Sequence, residues 1–305
     1  KALRRVINRL ERQNKVSDVQ ALWITNAMSL RGTPSAIREI ARHPDVLKIT
    51  ADKEIRMSSV SGAPAAYGTP EANLSLINAP SLWAQGFRGQ GVVIATLDSG
   101  VEASHPDLSA QWRPISGWLD PNGEHASPAD VGGHGTWTMG VILGRDGGGT
   151  SIGVAPDAQW IAAKIFDDAG VAHVSGIHAA LQWVLDPDGN VLAADAPQIV
   201  NNSWSFATSG CNPEFQNDVL AIRAAGIIPV FAAGNQGPGT GSSVSPANYP
   251  ESLAVGATNN SDALYTGSGR GPSDCDGATY PDMVAPGVGI RSSDLYGGYA
   301  SVTGT

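Results

Sequence analysis

Short apolar runs alternate with helical patterns over residues 76–305. The runs typical of buried strands are residues 92–97, 161–166, 199–202, 227–232 and 253–257. Helical spacing of apolar residues is found at 175–185 and at 215–225, and the second pattern ends at Gly226, a typical C-terminal cap. This alternation predicts an α/β domain with a doubly wound, mostly parallel sheet.

Residues 1–57 show a different pattern. Apolar residues at helical spacing lie at Leu3, Val6, Ile7 and Leu10. Residues 19–30 are strand-like, and Thr33 followed by Pro34 predicts the start of a helix that ends near residue 42. A second strand is predicted at 46–49. The pattern favours a small α+β segment whose core is too small to be stable without a partner.

Composition separates the two parts. Residues 1–56 hold 12 Lys and Arg against 6 Asp and Glu, whereas the remainder holds 7 against 22. Residues 58–75, rich in Ser, Ala, Pro and Gly, are predicted to be a linker. The basic segment is therefore expected to dock on the acidic part. Nucleic-acid binding is not expected, because the basic residues are dispersed and few aromatic residues lie among them.

Several function classes are disfavoured. The sequence has no uncharged apolar run of eighteen residues, so no membrane span is expected. Gly86, Gly89 and Gly91 suggest a dinucleotide-binding turn, but they precede a predicted strand instead of following one.

Cys211 and Cys275 lie in polar, turn-rich stretches, which favours a disulfide and an oxidising compartment. Two unpaired surface thiols are the alternative.

Three polar residues follow apolar or glycine-rich stretches in a way that suggests chemistry. Asp98 ends a predicted strand, His134 lies between glycines before a helical pattern, and Asn235 follows another strand. The alternative interpretations are an Asx turn at Asp98, a structural role for His134 and a turn at Asn235. Together they supply an orienting carboxylate, a base and an oxyanion donor, which is the set that acyl transfer needs. The other five histidines lack such surroundings and are expected to be structural or exposed.

Seven ordered motifs extend over about residues 83–305: TLDSGVEASHPDL, GGHGTWTMGVILG, GVAPDAQWIAAKIF, IVNNSWSF, PVFAAGNQGP, SPANYPESLAVGAT and VAPGVGI. In these motifs the chain resembles the subtilisin family of serine peptidases, the subtilases, and within it the bacillopeptidase F-like branch. Residues 1–57 resemble the inhibitory propeptides of that family, incomplete at their start. The resemblance implies a subtilisin-like peptidase domain over 76–305, a maturation region within 58–75, and a secreted proenzyme.

The resemblance assigns roles by position. Asp98 orients the imidazole, His134 is the general base and then the acid, and Asn235 donates to the oxyanion. The edges expected to bind protein or peptide substrate are Gly170, Val171 and Ala172, Ser203, Trp204 and Ser205, and Ala232, Ala233 and Gly234. The propeptide is expected to act as an intramolecular inhibitor. No cofactor is expected for the chemistry.

The sequence departs from the family pattern in four places. Ser205 replaces the usual glycine, and Trp137 replaces a second histidine. Asp107 matches a calcium ligand, but a glycine-rich stretch replaces the usual calcium loop, so structural calcium is left open. The nucleophilic serine is expected directly after Thr305. The 305 residues alone are therefore expected to be inactive, and a non-catalytic peptide-binding protein is the alternative function.

Overall fold

The computed structural model describes residues 2–57, 62–64 and 71–305. Its helices are α1 (Ala2–Arg12), α2 (Pro34–Ala41), α3 (Ala72–Leu76), α4 (Ala79–Ala84), α5 (His134–Leu143), α6 (Val174–Leu185) and α7 (Gln216–Ala224). Its strands in the first half are β1 (Val16–Leu22), β2 (Ala27–Gly32), β3 (Glu54–Arg56), β4 (Ala63–Pro64), β5 (Val93–Asp98), β6 (Trp118–Leu119), β7 (Gln159–Lys164) and β8 (Val171–His173). The remaining strands are β9 (Ile199–Asn202), β10 (Ile228–Ala232), β11 (Leu253–Thr258), β12 (Gly271–Pro272), β13 (Thr279–Tyr280), β14 (Met283–Pro286), β15 (Ile290–Ser293) and β16 (Tyr299–Val302).

A seven-stranded sheet forms the centre of the molecule, in the order β14-β11-β10-β9-β5-β7-β6. Every neighbouring pair in it is parallel. The predicted doubly wound α/β fold is confirmed. Because all strands point the same way, the residues at their carboxyl ends lie along one edge of the sheet.

Helices cover both faces of this sheet. Leu97 and Ala163 pack in one apolar cluster with residues of α6 and α7, such as Ile177 and Val219. Residues of the opposite face, among them Ile94 and Trp160, pack in a second cluster with Met139 and Leu143 of α5. Burial on both faces explains why the strands appear in the sequence as continuous apolar runs.

The N-terminal segment has its own small core, built by α1, α2 and the antiparallel pair β1–β2. Thr33 caps α2, its side chain accepting from the Ala36 amide, and Pro34 is the first helical residue, as the sequence predicts. The single strand-like run at 19–30 is instead two strands joined by a short 3₁₀ turn, Trp23–Thr25, and by Asn26 in the left-handed conformation. Asparagine tolerates that conformation better than most residues.

The strand predicted at 46–49 is wrong. These residues are outside regular structure and Leu47 is fully exposed, 102% by relative area. The strand that follows is β3, which pairs with β8 of the large domain. Of the predicted linker 58–75, residues 58–61 and 65–70 lie outside the described residues, and α3 begins at Ala72. Among the described residues, no helix is both long and apolar enough to cross a membrane.

Candidate active site

Asp98 is the last residue of β5, in the middle of the sheet. Its side chain is 1% exposed, and its Oδ1 accepts from the Ser99 amide at 2.7 Å. Thr138 Oγ1 lies 3.4 Å from Oδ2. A strand in the sheet interior therefore fixes this carboxylate at the carboxyl edge, where the sequence predicts it.

His134 begins α5, and two glycines make that position possible. Gly133, the N-cap, has φ 82°, a conformation that few other residues adopt. A Cβ on Gly135 would lie 2.0 Å from the Gly100 carbonyl oxygen and 3.1 Å from Asp98 Cβ. The helix start therefore approaches the end of β5 closely enough for the two side chains to meet.

His134 Nδ1 donates to Asp98 Oδ1 at 2.7 Å. Burial opposes the charged imidazolium, but the charge of Asp98, its hydrogen bond and the charge of Asp130 together raise the pKa of His134 above the ordinary histidine value. The bond also fixes the tautomer that leaves Nε2 as a base. The pair is thus arranged to take up a proton and to stabilise the resulting charge.

Asp130 is a part of the site that the sequence analysis missed. Its Oδ1 accepts from Ser99 Oγ at 2.9 Å and from the Gly133 amide at 2.9 Å, while Oδ2 accepts from the Thr136 amide and hydroxyl at 2.9 and 2.6 Å. One carboxylate thereby ties the residue after Asp98 to the first turn of α5. Burial raises the pKa of Asp130, although those hydrogen bonds oppose the rise. An aspartate just before a helix start is a capping signal that could have identified it.

Lys164, at the end of β7, was also missed. Its side chain is 1% exposed, and its ammonium donates to the carbonyls of Phe166 at 2.8 Å and Ser99 at 3.2 Å. Asp168 is its ion-pair partner at 3.1 Å. This lysine therefore holds the backbone carbonyl of Ser99, while Asp130 holds the hydroxyl of the same residue.

Asn235 lies beyond the end of β10, in the wall of the cavity that also includes His134. Its Oδ1 accepts from the Thr305 amide at 3.1 Å and lies 3.3 Å from the Thr305 hydroxyl. With the oxygen held in this way, the amide Nδ2 is the group left to donate. Asp98 is in contact with His134, and Asn235 and His134 line the same cavity, so the three predicted residues share one site.

The cavity beside His134 has a volume of about 280 Å³. The predicted edge residues that line it are Ser203, Trp204, Ser205, Ala232 and Gly234. Ala233 is not among the residues that line it: its side chain is fully buried, and its carbonyl accepts from the Tyr280 hydroxyl at 2.7 Å.

Gly170, Val171 and Ala172 form a separate edge. Strand β8 pairs antiparallel with β3, Val171 opposite Arg56 and Ala172 opposite Ile55. The Gly170 carbonyl accepts from the Met57 amide at 3.0 Å. Arg56 and Met57 are themselves in the wall of the cavity beside His134. The chain's own N-terminal segment therefore occupies the edge that the sequence analysis assigns to substrate.

The surroundings of Asp107 do not fit a calcium site. Its Oδ2 accepts from the Tyr299 hydroxyl at 2.8 Å, and its Oδ1 accepts from the Gly147 amide. The Arg291 guanidinium stacks on the Tyr299 ring, 4.2 Å from its centroid, and pairs with Glu71. Both carboxylate oxygens of Asp107 thus accept hydrogen bonds from the protein, whereas a divalent ion needs several free oxygen ligands.

Cys211 and Cys275, 64 residues apart in the chain, are joined by a disulfide. Cys211 precedes the turn that leads to α7, and Cys275 precedes β13. The bridge therefore fastens two surface loops on the side of the sheet that carries α7.

Sequence similarity relates the chain to known proteins. A sequence model described as the Subtilase family matches residues 89–305. Bacillopeptidase F of Bacillus subtilis (strain 168) is 35% identical over 315 residues, covering 94% of this chain and 22% of that protein. Subtilisin E of the same organism is 31% identical over 283 residues, covering 92% of this chain and 66% of that protein. Subtilisin of Bacillus pumilus is 32% identical over 235 residues, covering 76% of this chain and 78% of that protein. The chain thus spans less than a quarter of bacillopeptidase F and about two thirds of subtilisin E.

Proposed function

The chain belongs to the subtilase family, and on this basis we propose that it is a secreted serine endopeptidase made as a proenzyme. Its substrates are proteins or peptides. Its catalytic groups are Asp98, His134 and a serine directly after Thr305, with Asn235 as the oxyanion donor. The observation that carries the proposal is the 2.7 Å bond between His134 Nδ1 and the buried Asp98 carboxylate.

In the proposed reaction, His134 Nε2 takes the proton of the serine hydroxyl while the serine oxygen attacks the substrate carbonyl. Asp98 stabilises the imidazolium that forms, and the raised pKa of His134 favours that state. Asn235 Nδ2 donates to the carbonyl oxygen as it becomes negative. His134 then passes its proton to the leaving amine, and water releases the acyl group by the same steps. None of these steps requires a metal ion or an organic cofactor.

The position of Thr305 supports the location of the nucleophile. Its amide and hydroxyl lie against the Asn235 side chain, and Gly304 donates its amide to the Gly287 carbonyl at 2.9 Å. A residue that follows Thr305 therefore starts next to the oxyanion donor. On this proposal, residues 1–305 alone do not cleave peptides.

The N-terminal segment is proposed to be the inhibitory propeptide. Strand β3 fills the edge at β8, and the Asp52 carboxylate accepts from the Ser175 amide and hydroxyl at 2.9 and 2.6 Å, at the start of α6. Ile24 N donates to Gln182 Oε1 at 3.3 Å farther along α6. A substrate cannot add a strand at β8 while β3 is there. The disulfide is consistent with secretion, because such bonds persist in oxidising compartments.

The proposal is tested by peptide hydrolysis with the natural gene product, before and after an Asp98→Asn change. Removing the charged partner leaves His134 in the wrong tautomer, so kcat should fall by about 10⁴-fold. Leu47→Asn, at a fully exposed residue of the N-terminal segment, is the control and should leave the rate unchanged. A gene product that binds peptides without cleaving them would instead support the non-catalytic alternative.

A further inference from the structure

A buried segment, residues 243–248, contacts both of the loops that carry the cysteines. Ser243, Val244 and Ser245 are 0% exposed, and Asn248 is 2% exposed. The segment lies outside the regular helices and strands. Its position is therefore not fixed by a sheet or a helix, and it depends on the loops that bind it.

The loop that carries Cys211 binds the segment through its backbone. The Gly210 amide donates to the Ser243 carbonyl at 3.1 Å, and the Phe206 amide donates to the Ser245 carbonyl at 3.0 Å. These two bonds hold the backbone on both sides of the valine that lies between the two serines.

The loop that carries Cys275 binds the same segment through side chains. Ser243 Oγ donates to Asp274 Oδ2 at 2.8 Å and accepts from the Asp274 amide at 3.0 Å. Ser273 Oγ donates to the Asn248 carbonyl at 2.9 Å. The disulfide joins this loop to the first one. A covalent bond therefore links the two loops that hold the buried segment.

Val244 packs against the turn that carries the proposed oxyanion donor. A Cβ on Gly234, the residue before Asn235, would lie 2.7 Å from Val244 Cγ2, so the valine methyl group is in direct contact with the glycine. The Gly234 carbonyl also accepts from the Gly269 amide at 2.7 Å. Because protein interiors are closely packed, a shift of Val244 is transmitted to this turn and changes where the Asn235 side chain lies.

We propose that the Cys211–Cys275 disulfide and Val244 position Asn235 for stabilisation of the oxyanion. This inference rests on the proposed function and assigns a role in it to three positioning residues, which act through the turn and not on the substrate. The bridge holds the buried segment, and the segment supports the turn. An oxyanion donor is effective only within about 2.7–3.1 Å of the oxygen that becomes negative, so a small displacement of Asn235 lowers kcat.

The test is a set of double-mutant cycles on the processed natural gene product, with peptide hydrolysis as the readout. The double change Cys211→Ala and Cys275→Ala removes the bridge. Val244→Ala removes the contact with the turn and keeps the disulfide, so the test does not depend on folding of the variant without cysteines. Each is combined with Asn235→Ala. Val184→Ala is the matched control, because Val184 of α6 is also 0% exposed.

Asn235→Ala alone should lower kcat by about 10²-fold to 10³-fold, because it removes one oxyanion donor. Loss of the bridge, or Val244→Ala, should lower kcat about tenfold when Asn235 is present and less than about twofold when it is absent, because the two changes act on the same interaction. Val184→Ala should leave kcat unchanged in both backgrounds. All rates are measured at a temperature at which thermal unfolding shows each variant to be folded.

Equal losses of kcat with and without Asn235 would overturn the positioning role while leaving the proposed peptidase function intact. An unchanged kcat after loss of the bridge and in Val244→Ala would overturn it as well, and so would an Asn235-dependent loss of the same size in Val184→Ala. A processed gene product that cleaves no peptide would overturn the proposed function and this inference together.

Discussion

Two carboxylates act on His134. Asp98 bonds to it directly, and Asp130, at the start of α5, contributes through its charge. Both raise the pKa of the imidazole, against the opposing effect of burial. Asp130 also holds the amides of Gly133 and Thr136, so it positions the histidine as well as influencing its protonation.

An Asp130→Asn change tests that double role. Loss of the negative charge should lower the pKa of His134, so the acid limb of the pH profile of kcat/KM should move to lower pH. In Asn, one of the two accepting oxygens of Asp130 is replaced by an NH₂ group, which cannot accept the hydrogen bonds made there. This loss should cost about 1–3 kcal/mol of stability. The profile is measured on the processed enzyme, with thermal unfolding alongside.

Asp262→Asn is the matched control, because Asp262 is an exposed turn residue with φ 59°, which asparagine tolerates. It should change neither the profile nor the stability. An unchanged acid limb in Asp130→Asn would show that its charge does not reach His134. Asp130 would then have a structural role only.

At this scale the sequence predicts the residues that lie at strand ends. Asp98 and Asn235 follow apolar runs, and parallel strands bring their carboxyl ends to one edge, so their grouping could be predicted. The hydrogen-bond partners of Asp107 could not be predicted from the sequence. Tyr299 is 192 positions away and no local pattern relates the two.

At the scale of elements, Arg291 on β15 joins parts of the chain that are far apart. Its Nη1 lies 3.4 Å from Glu71 Oε1, and the two side chains are 3% and 9% exposed. Its Nη2 is 3.3 Å from the Gly148 carbonyl, in the glycine-rich loop beside Asp107. The guanidinium thus joins the segment before α3, this loop and the three-stranded sheet of β15, β16 and β4.

An Arg291→Met change should leave the buried Glu71 carboxylate without this partner and cost about 3–5 kcal/mol. Urea unfolding with and without calcium chloride measures the cost. Arg88→Met is the control, because the Arg88–Asp157 pair is about one-third exposed and should contribute at most about 1 kcal/mol. Full rescue of Arg291→Met by calcium would contradict the prediction that the guanidinium itself is required at this junction.

The core strands were predictable from sequence to within a few residues, because burial on both faces imposes continuous apolar runs. Strand β3 was not, since its partner β8 lies over one hundred residues away. The run at 46–49 has a strand-like composition but no neighbouring strand to pair with among the described residues. Composition alone does not supply the missing hydrogen-bond partners.

For the whole molecule, the N-terminal segment and the large domain are opposite in net charge and are joined through β3. Ile55, at the centre of β3, is 5% exposed and belongs to the main apolar core. Removal of the segment therefore exposes apolar surface and frees the β8 edge. Both effects are expected if the segment is the inhibitory propeptide proposed above.

Residues 1–57 added in trans should inhibit the processed enzyme. Ile55→Asp should raise the inhibition constant at least tenfold, because burial of an isoleucine side chain contributes about 1.5–3 kcal/mol to the free energy of binding. Leu47→Asp introduces the same side chain at a fully exposed position and should leave inhibition unchanged. Equal inhibition by both variants would show that β3 does not carry the contact.

The most direct test of the account is to treat the natural gene product with a fluorophosphonate probe and to locate the label by mass spectrometry. The account predicts one label, on a serine directly after Thr305. It also predicts that the label is lost when His134 is changed to Ala and that residues 1–305 alone are not labelled. A label on any serine within residues 1–305, or none on the complete protein, would contradict it.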